Sequence, residues 1–190
     1  MANRLARLGA VLAAAASIQG CTAATPVITE KTIYYGVSGA TEADIRKMMD
    51  QRRPRDNNNA ERDSLTKWNV AWEFSLRTTR GCEVAKVTVE ANISIHLPRL
   101  DPAAPPDRQQ KFAAYQAKLL AHEKRHVQIA KETVQQVEDV LYELPPGNTC
   151  EALHRSADAA VQPLLQEAAF RNAAYDDETG YGETEGAVFP

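Results

Sequence analysis

Several ordinary ingredients are scarce in this 190-residue chain, and each scarcity removes a class of protein. No apolar run nears the roughly 20 residues of a membrane-spanning helix; the run from Leu8 to Ala16 holds only nine residues. A basic excess is missing as well. With 22 Lys and Arg against 25 Asp and Glu the formal charge is -3, which gives nucleic acid or an anionic membrane surface nothing to attract. Three cysteines allow one disulfide at most, and with only four histidines any pattern that uses two of them stands out against chance. What remains is ordinary: 44% hydrophobic and 25% charged residues suit one globular domain with its own core.

The first 24 residues read as a secretory signal. Arg4 and Arg7 make a basic start, Leu8 to Ala16 a short apolar centre, and small residues follow. Ile18, Gln19, Gly20 and Cys21 resemble a bacterial lipobox, in which Cys21 is lipidated and attaches the protein to a membrane; cleavage after Ala23 or Ala24 would instead remove Cys21. Both routes predict export, to the periplasm or cell envelope with a lipid anchor or otherwise as a secreted protein, with residues 25–190 as the folded domain. In that oxidising setting Cys82 and Cys150 are expected to pair as a stabilising disulfide.

The hydrophobic period then changes in a readable order. Lys31 to Val37 predicts a strand, and Thr41 as N-cap with Asp44 at the third helical position predicts a helix to about Arg53. Charged, Asn-rich Arg52 to Asp63 predicts a loop. Trp68, Val70, Trp72, Phe74 and Leu76 alternate, as do Val87, Val89, Ala91, Ile93, Ile95 and Leu97, so two strands are predicted with a hairpin at Gly81 and Cys82. A long helix should begin near Asp107 and end near Leu144, before Pro145, Pro146 and Gly147, and a last helix should span about Cys150 to Ala173, followed by an acidic, Gly-rich tail. The expected architecture is one α+β domain: a small antiparallel sheet packed on the long helix, with a second long helix beside it.

His122, Glu123, Lys124, Arg125 and His126 spell HEKRH inside that long helix. Residues four apart share a helix face, so both imidazoles can converge on one zinc ion while Glu123 serves as general base. The inward stripe runs Phe112, Tyr115, Leu119, His122, His126, Ile129, Thr133, Val137, Val140, Leu144, which puts both histidines on the buried seam and Glu123 on its flank. A lone histidine on such a stripe is ordinarily a hydrogen-bonded core residue. Two histidines around a glutamate are different, because burying three titratable groups costs several kcal/mol unless a metal or hydrogen bonds compensate. A catalytic zinc also needs a third protein ligand and an open position. Within the same helix Glu132 turns away, and Glu138 and Glu143 read as solvated; His96, His154 and the acidic tail are the other sources.

Several separated segments resemble a bacterial domain-of-unknown-function family described as secreted zinc-dependent proteases. They are YYGVSG from Tyr34, WNVAWEF from Trp68, GC at Gly81, HLPRL from His96, LLAHEKRH from Leu119, Cys150, and the ending YDDETGYGETEGAVFP from Tyr175. The resemblance implies a zincin-like domain with His122 and His126 as zinc ligands and Glu123 as catalytic base. The family ending, YDxxTxHGxxxGAxxP, carries a histidine where this chain has Tyr181. Three outcomes follow: Tyr181 binds zinc as a phenolate, or it donates to an oxyanion while Glu178, Glu183 or Glu185 binds the metal, or the site is degenerate. The functional expectation is an exported zinc peptidase acting on a peptide or protein, with the strand ending at His96 as a substrate rail. The alternative is a catalytically degenerate envelope protein or a peptide-binding module on the same fold. Oligomeric state does not follow from the residues.

Overall fold

The computed structural model describes residues 25–79 and 81–189; the proposed signal segment and Cys21 lie outside them. Strand β1 (Val27–Val37) leads to helix α1 (Glu42–Arg52), followed by β2 (Leu65–Arg77), β3 (Glu83–Leu100), α2 (Pro106–Tyr142) and α3 (Cys150–Thr179), with a short 3-10 turn at Glu183–Glu185. No helix among the described residues is long and apolar enough to cross a membrane.

Local chemistry accounts for most of the boundaries. Thr41 and Asp44 form a reciprocal capping box at the start of α1. Pro106 occupies the first turn of α2, where a missing N–H costs nothing. Gly180, in the left-handed conformation, ends α3. That helix therefore continues past Ala173 and takes in Tyr175 and Asp176, which the sequence reading assigned to the tail.

The sheet has the order β1-β3-β2 and is mixed, which corrects the expected antiparallel sheet. The turn at Gly81, with φ of 101°, makes β2 and β3 an antiparallel hairpin. On the other side β1 runs parallel to β3, with Val27 opposite Glu90 and Val37 opposite Leu100. The reason is burial. Strand β3 presents Val87, Val89, Ala91, Ile93, Ile95 and Leu97, each no more than 1% exposed, and so takes the centre under α2. Being paired on both sides, β3 has no free edge, and the substrate rail expected at His96 is not there; the free edges among the described strands belong to β1 and β2.

Helix α2 lies over two stretches of this sheet. Phe112, Tyr115, Leu119, Val127 and Ala130 pack with Ile93, Ile95 and Leu97 and with Ile45 and Met49 of α1. Val134, Val137 and Leu141 pack with Val87, Val89 and Ala91 and with Ala157 and Val161 of α3. Each large aliphatic side chain so buried contributes about 1.5–3 kcal/mol. Glu138, expected in solvent, is buried at 1% exposure, with Oε2 bonded to Gln135. A disulfide joins Cys82 to Cys150, and two backbone hydrogen bonds between Cys82 and Gly147 reinforce it. The start of α3 is thereby tied to the β-hairpin.

Candidate metal centre

His122, Glu123 and His126 are buried on the flank of α2 that faces α3 and the start of β2. From α3, Asp176 reaches across. Its Oδ1 lies 3.2 Å from His122 Nε2 and 3.0 Å from His126 Nε2, and the two Nε2 atoms are 3.2 Å apart. Nitrogen and oxygen ligands about 2.0–2.1 Å from a tetrahedral cation stand about 3.3 Å from one another, so these three atoms approximate one face of such a tetrahedron.

The opposite ring nitrogens fix the protonation pattern. His126 Nδ1 lies 2.7 Å from Asn172 Oδ1, and the amide is oriented by donation of Asn172 Nδ2 to the Ala168 carbonyl. His122 Nδ1 lies 3.0 Å from Glu185 Oε2. Both Nδ1 atoms therefore carry a proton, and both Nε2 atoms point at each other and at a carboxylate. Such a group needs positive charge, supplied by a proton on Nε2 or by a metal cation. Burial disfavours charged imidazoles here, yet the hydrogen bonds to Asp176 outweigh it, and the pKa values of His122 and His126 are raised. Asp176 is held down to about 2, its burial outweighed by those same bonds. The electrostatics call for positive charge, and the donor set fits a divalent cation.

Outer contacts lock the ligands. Tyr175 stacks on the His122 ring at 4.8 Å and donates to Glu185 Oε1 at 2.7 Å. Gly182, with φ of 91°, lies so close that an added Cβ would be 3.2 Å from His122 Cγ; the tail has to be glycine where it crosses the imidazole. Glu123 accepts a hydrogen bond from Ser64 at 2.6 Å through Oε1, while Oε2 is buried with no partner.

A cleft of about 990 Å³ opens onto this cluster, walled by the start of β2, the loop before it, and Leu165, Ala169 and Ala173 of α3. Tyr181 lines the same cleft, in the left-handed region at φ of 57°, with the Arg62 guanidinium 3.6 Å from its ring centroid. Asp176, rather than Tyr181, stands in the donor triangle. Of the other candidates, Glu185 is an orienting partner of His122, Glu183 lines the cleft, and Glu178 is exposed. His96 sits on the central strand beside Ser94, and His154 packs against Phe74.

Asp176, Asn172, Tyr175 and Ser64 were missed from sequence. A signal for two of them existed: the buried stripe Leu153, Ala157, Val161, Ala168 on α3, carried on in steps of four, reaches Asn172 and Asp176. For Ser64 there was none, because its role depends on a contact 59 residues away.

Fold and site together define an α+β protein whose long helix presents a buried His-Glu-His set to a carboxylate of the last helix. Residues 32–183 match the family described as bacterial protein of unknown function, DUF922, and the chain belongs to it. No curated protein and no solved structure matches the chain.

Proposed function

We propose that this protein is an exported zinc-dependent peptidase whose zinc is held by His122, His126 and Asp176. The observation that carries the reading is the triangle of ligand atoms: two imidazole Nε2 atoms, each with its Nδ1 held by an outer acceptor, and the Asp176 carboxylate, all about 3 Å from one another. The resemblance to secreted zinc proteases points the same way. His122, His126 and Asp176 would hold the zinc, which would supply a Lewis acid able to polarise a scissile carbonyl and acidify water. Ser64 holds Oε1 of Glu123, which leaves Oε2 to take a proton from the attacking water and return it to the leaving amine. The free edge of β2 runs along the cleft and offers backbone hydrogen bonds to an extended peptide.

Tyr181 takes no ligand role in this reading. The test is metal content of the purified chain from Thr25 onward, before and after zinc loading, together with hydrolysis of a denatured protein substrate. Near-stoichiometric zinc that His122→Ala and Asp176→Ala abolish, and activity that Glu123→Gln removes while zinc stays, is the expected result. Zinc-free protein, or zinc indifferent to both ligand substitutions, defeats it and leaves the degenerate envelope protein or peptide-binding module.

A further inference from the structure

Three arginines line the cleft, and two of them are spent. Arg46 makes a two-pronged pair with Asp63 at 2.6 and 2.7 Å and also reaches Asp50; Arg53 is shared among Glu61, Asp63 and Asp50. Arg62 is different. Its Nε donates to Asp56 Oδ2 at 3.0 Å, and its flat face lies on the Tyr181 ring. Neither Nη atom has a hydrogen-bond partner among the described residues. Asp56 itself is held by the backbone N–H groups of Asn58 and Ala60, both at 2.9 Å, so the Nε anchor is part of a fixed turn.

The platform is costly to build. Tyr181 sits in the left-handed region between Gly180 and Gly182, both also at positive φ. For a residue with a side chain this conformation is strained and persists where surrounding contacts impose it, commonly at ligand clamps. Here it delivers an aromatic face under a guanidinium in the cleft that holds His122 and Glu123. A guanidinium clamped at Nε and on one face keeps a planar pair of Nη donors in fixed orientation, which matches the two oxygens of a carboxylate.

We infer that Arg62, braced by Asp56 and Tyr181, is a carboxylate receptor, and that the preferred substrate carries a carboxylate close to the amide that is cut. The assignment of that carboxylate to a substrate rests on the peptidase reading; the receptor itself does not. The carboxylate has two possible sources, a free C-terminus or an acidic side chain.

Binding separates the possibilities without hydrolysis. Trp68 lines the cleft, so its fluorescence can follow titration of the mature protein, metal-free and zinc-loaded, with acetyl-trialanine as free acid, as its amide, and with an acetyl-Ala-Glu-Ala amide. At least one carboxylate peptide should bind about tenfold or more tightly than the trialanine amide, the size of a charge-assisted pair. The free acid in the lead indicates a C-terminus, and the Glu peptide in the lead an acidic side chain. Arg62→Gln should bring the ratio to near one, Arg62→Lys should lose most of it with thermal stability kept, and Tyr181→Phe should retain it while Tyr181→Ala weakens it. Ratios within about twofold in the wild-type protein, no saturable binding of either acid, or a preference that survives Arg62→Lys and Arg62→Gln overturns the inference. A preference seen in a protein that binds no zinc keeps the receptor and refutes the peptidase reading.

Discussion

Two polar clusters border the same cleft and are built on opposite principles. Around Asp63, donors surround one carboxylate: Arg46 twice, Arg53, and the Tyr115 hydroxyl at 2.5 Å, while the Asp63 carbonyl accepts from Tyr35. Around His122 and His126, two imidazole Nε2 atoms and the Asp176 carboxylate converge on one another. The first cluster pairs a carboxylate with the protein's own cations, as a cluster that holds the fold does; the second brings metal-ligating atoms together, which is the ground for the zinc site proposed above.

That contrast can be broken most forcefully at the ligands. Asp176→Ala and His122→Ala should each remove stoichiometric zinc, measured by metal analysis after dialysis, with the fold retained in circular dichroism. Retained zinc would sink the assignment of the triangle. At the Asp63 cluster the opposite outcome is expected. Asp63→Ala leaves Arg46 without its main partner and should cost about 1–2 kcal/mol in a urea titration, with zinc affinity per folded molecule changed little; a large loss of zinc with no loss of stability would reverse the roles given to the clusters.

A smaller effect is expected one step out from the metal. Glu185→Gln keeps the shape of the contact to His122 Nδ1 but removes its charge, and zinc affinity measured against a chelator should fall about 10–100-fold. No change would mean that the tail does not tune the ligand.

The smallest effects concern acid, and they separate the clusters by pH. Burial would raise the Asp63 pKa, but Arg46 and Tyr115 outweigh it and lower it below the ordinary carboxylate value. A depressed pKa gives stability that is whole above the ordinary value and is lost as pH falls through the lower folded one. Asp63→Asn should therefore flatten the acid limb of the stability curve. The imidazole pKa values are raised, so protons compete with metal at higher pH than for free histidine. Zinc affinity should weaken as pH falls through that raised range, well before the Asp63 contribution is touched.

The sequence alone was informative wherever one element carried its own signal. The alternating strands, the Thr41 cap, the Cys82–Cys150 pair and the two histidines on the seam of α2 were all legible, because period, cap chemistry and cysteine pairing act over short spans or on a single residue type. Sheet order was not legible, since it depended on which strand could bury one face under α2 and pair along both edges. Asp176 was hidden because the end of α3 was drawn at Ala173 when Gly180 is the stop.

What the chain by itself determined is the helix that sets His122, Glu123 and His126 at fixed spacing, a consequence of 3.6 residues per turn. Only the tertiary structure decided what faces that helix: Ser64 turning Glu123, Asn172 and Glu185 setting the tautomers, Asp176 closing the triangle, and Tyr181 lying beneath Arg62. Each of these is a contact between distant segments, and sequence spacing does not encode distance in space until burial of β3 under α2 and the docking of α3 have fixed where the segments meet.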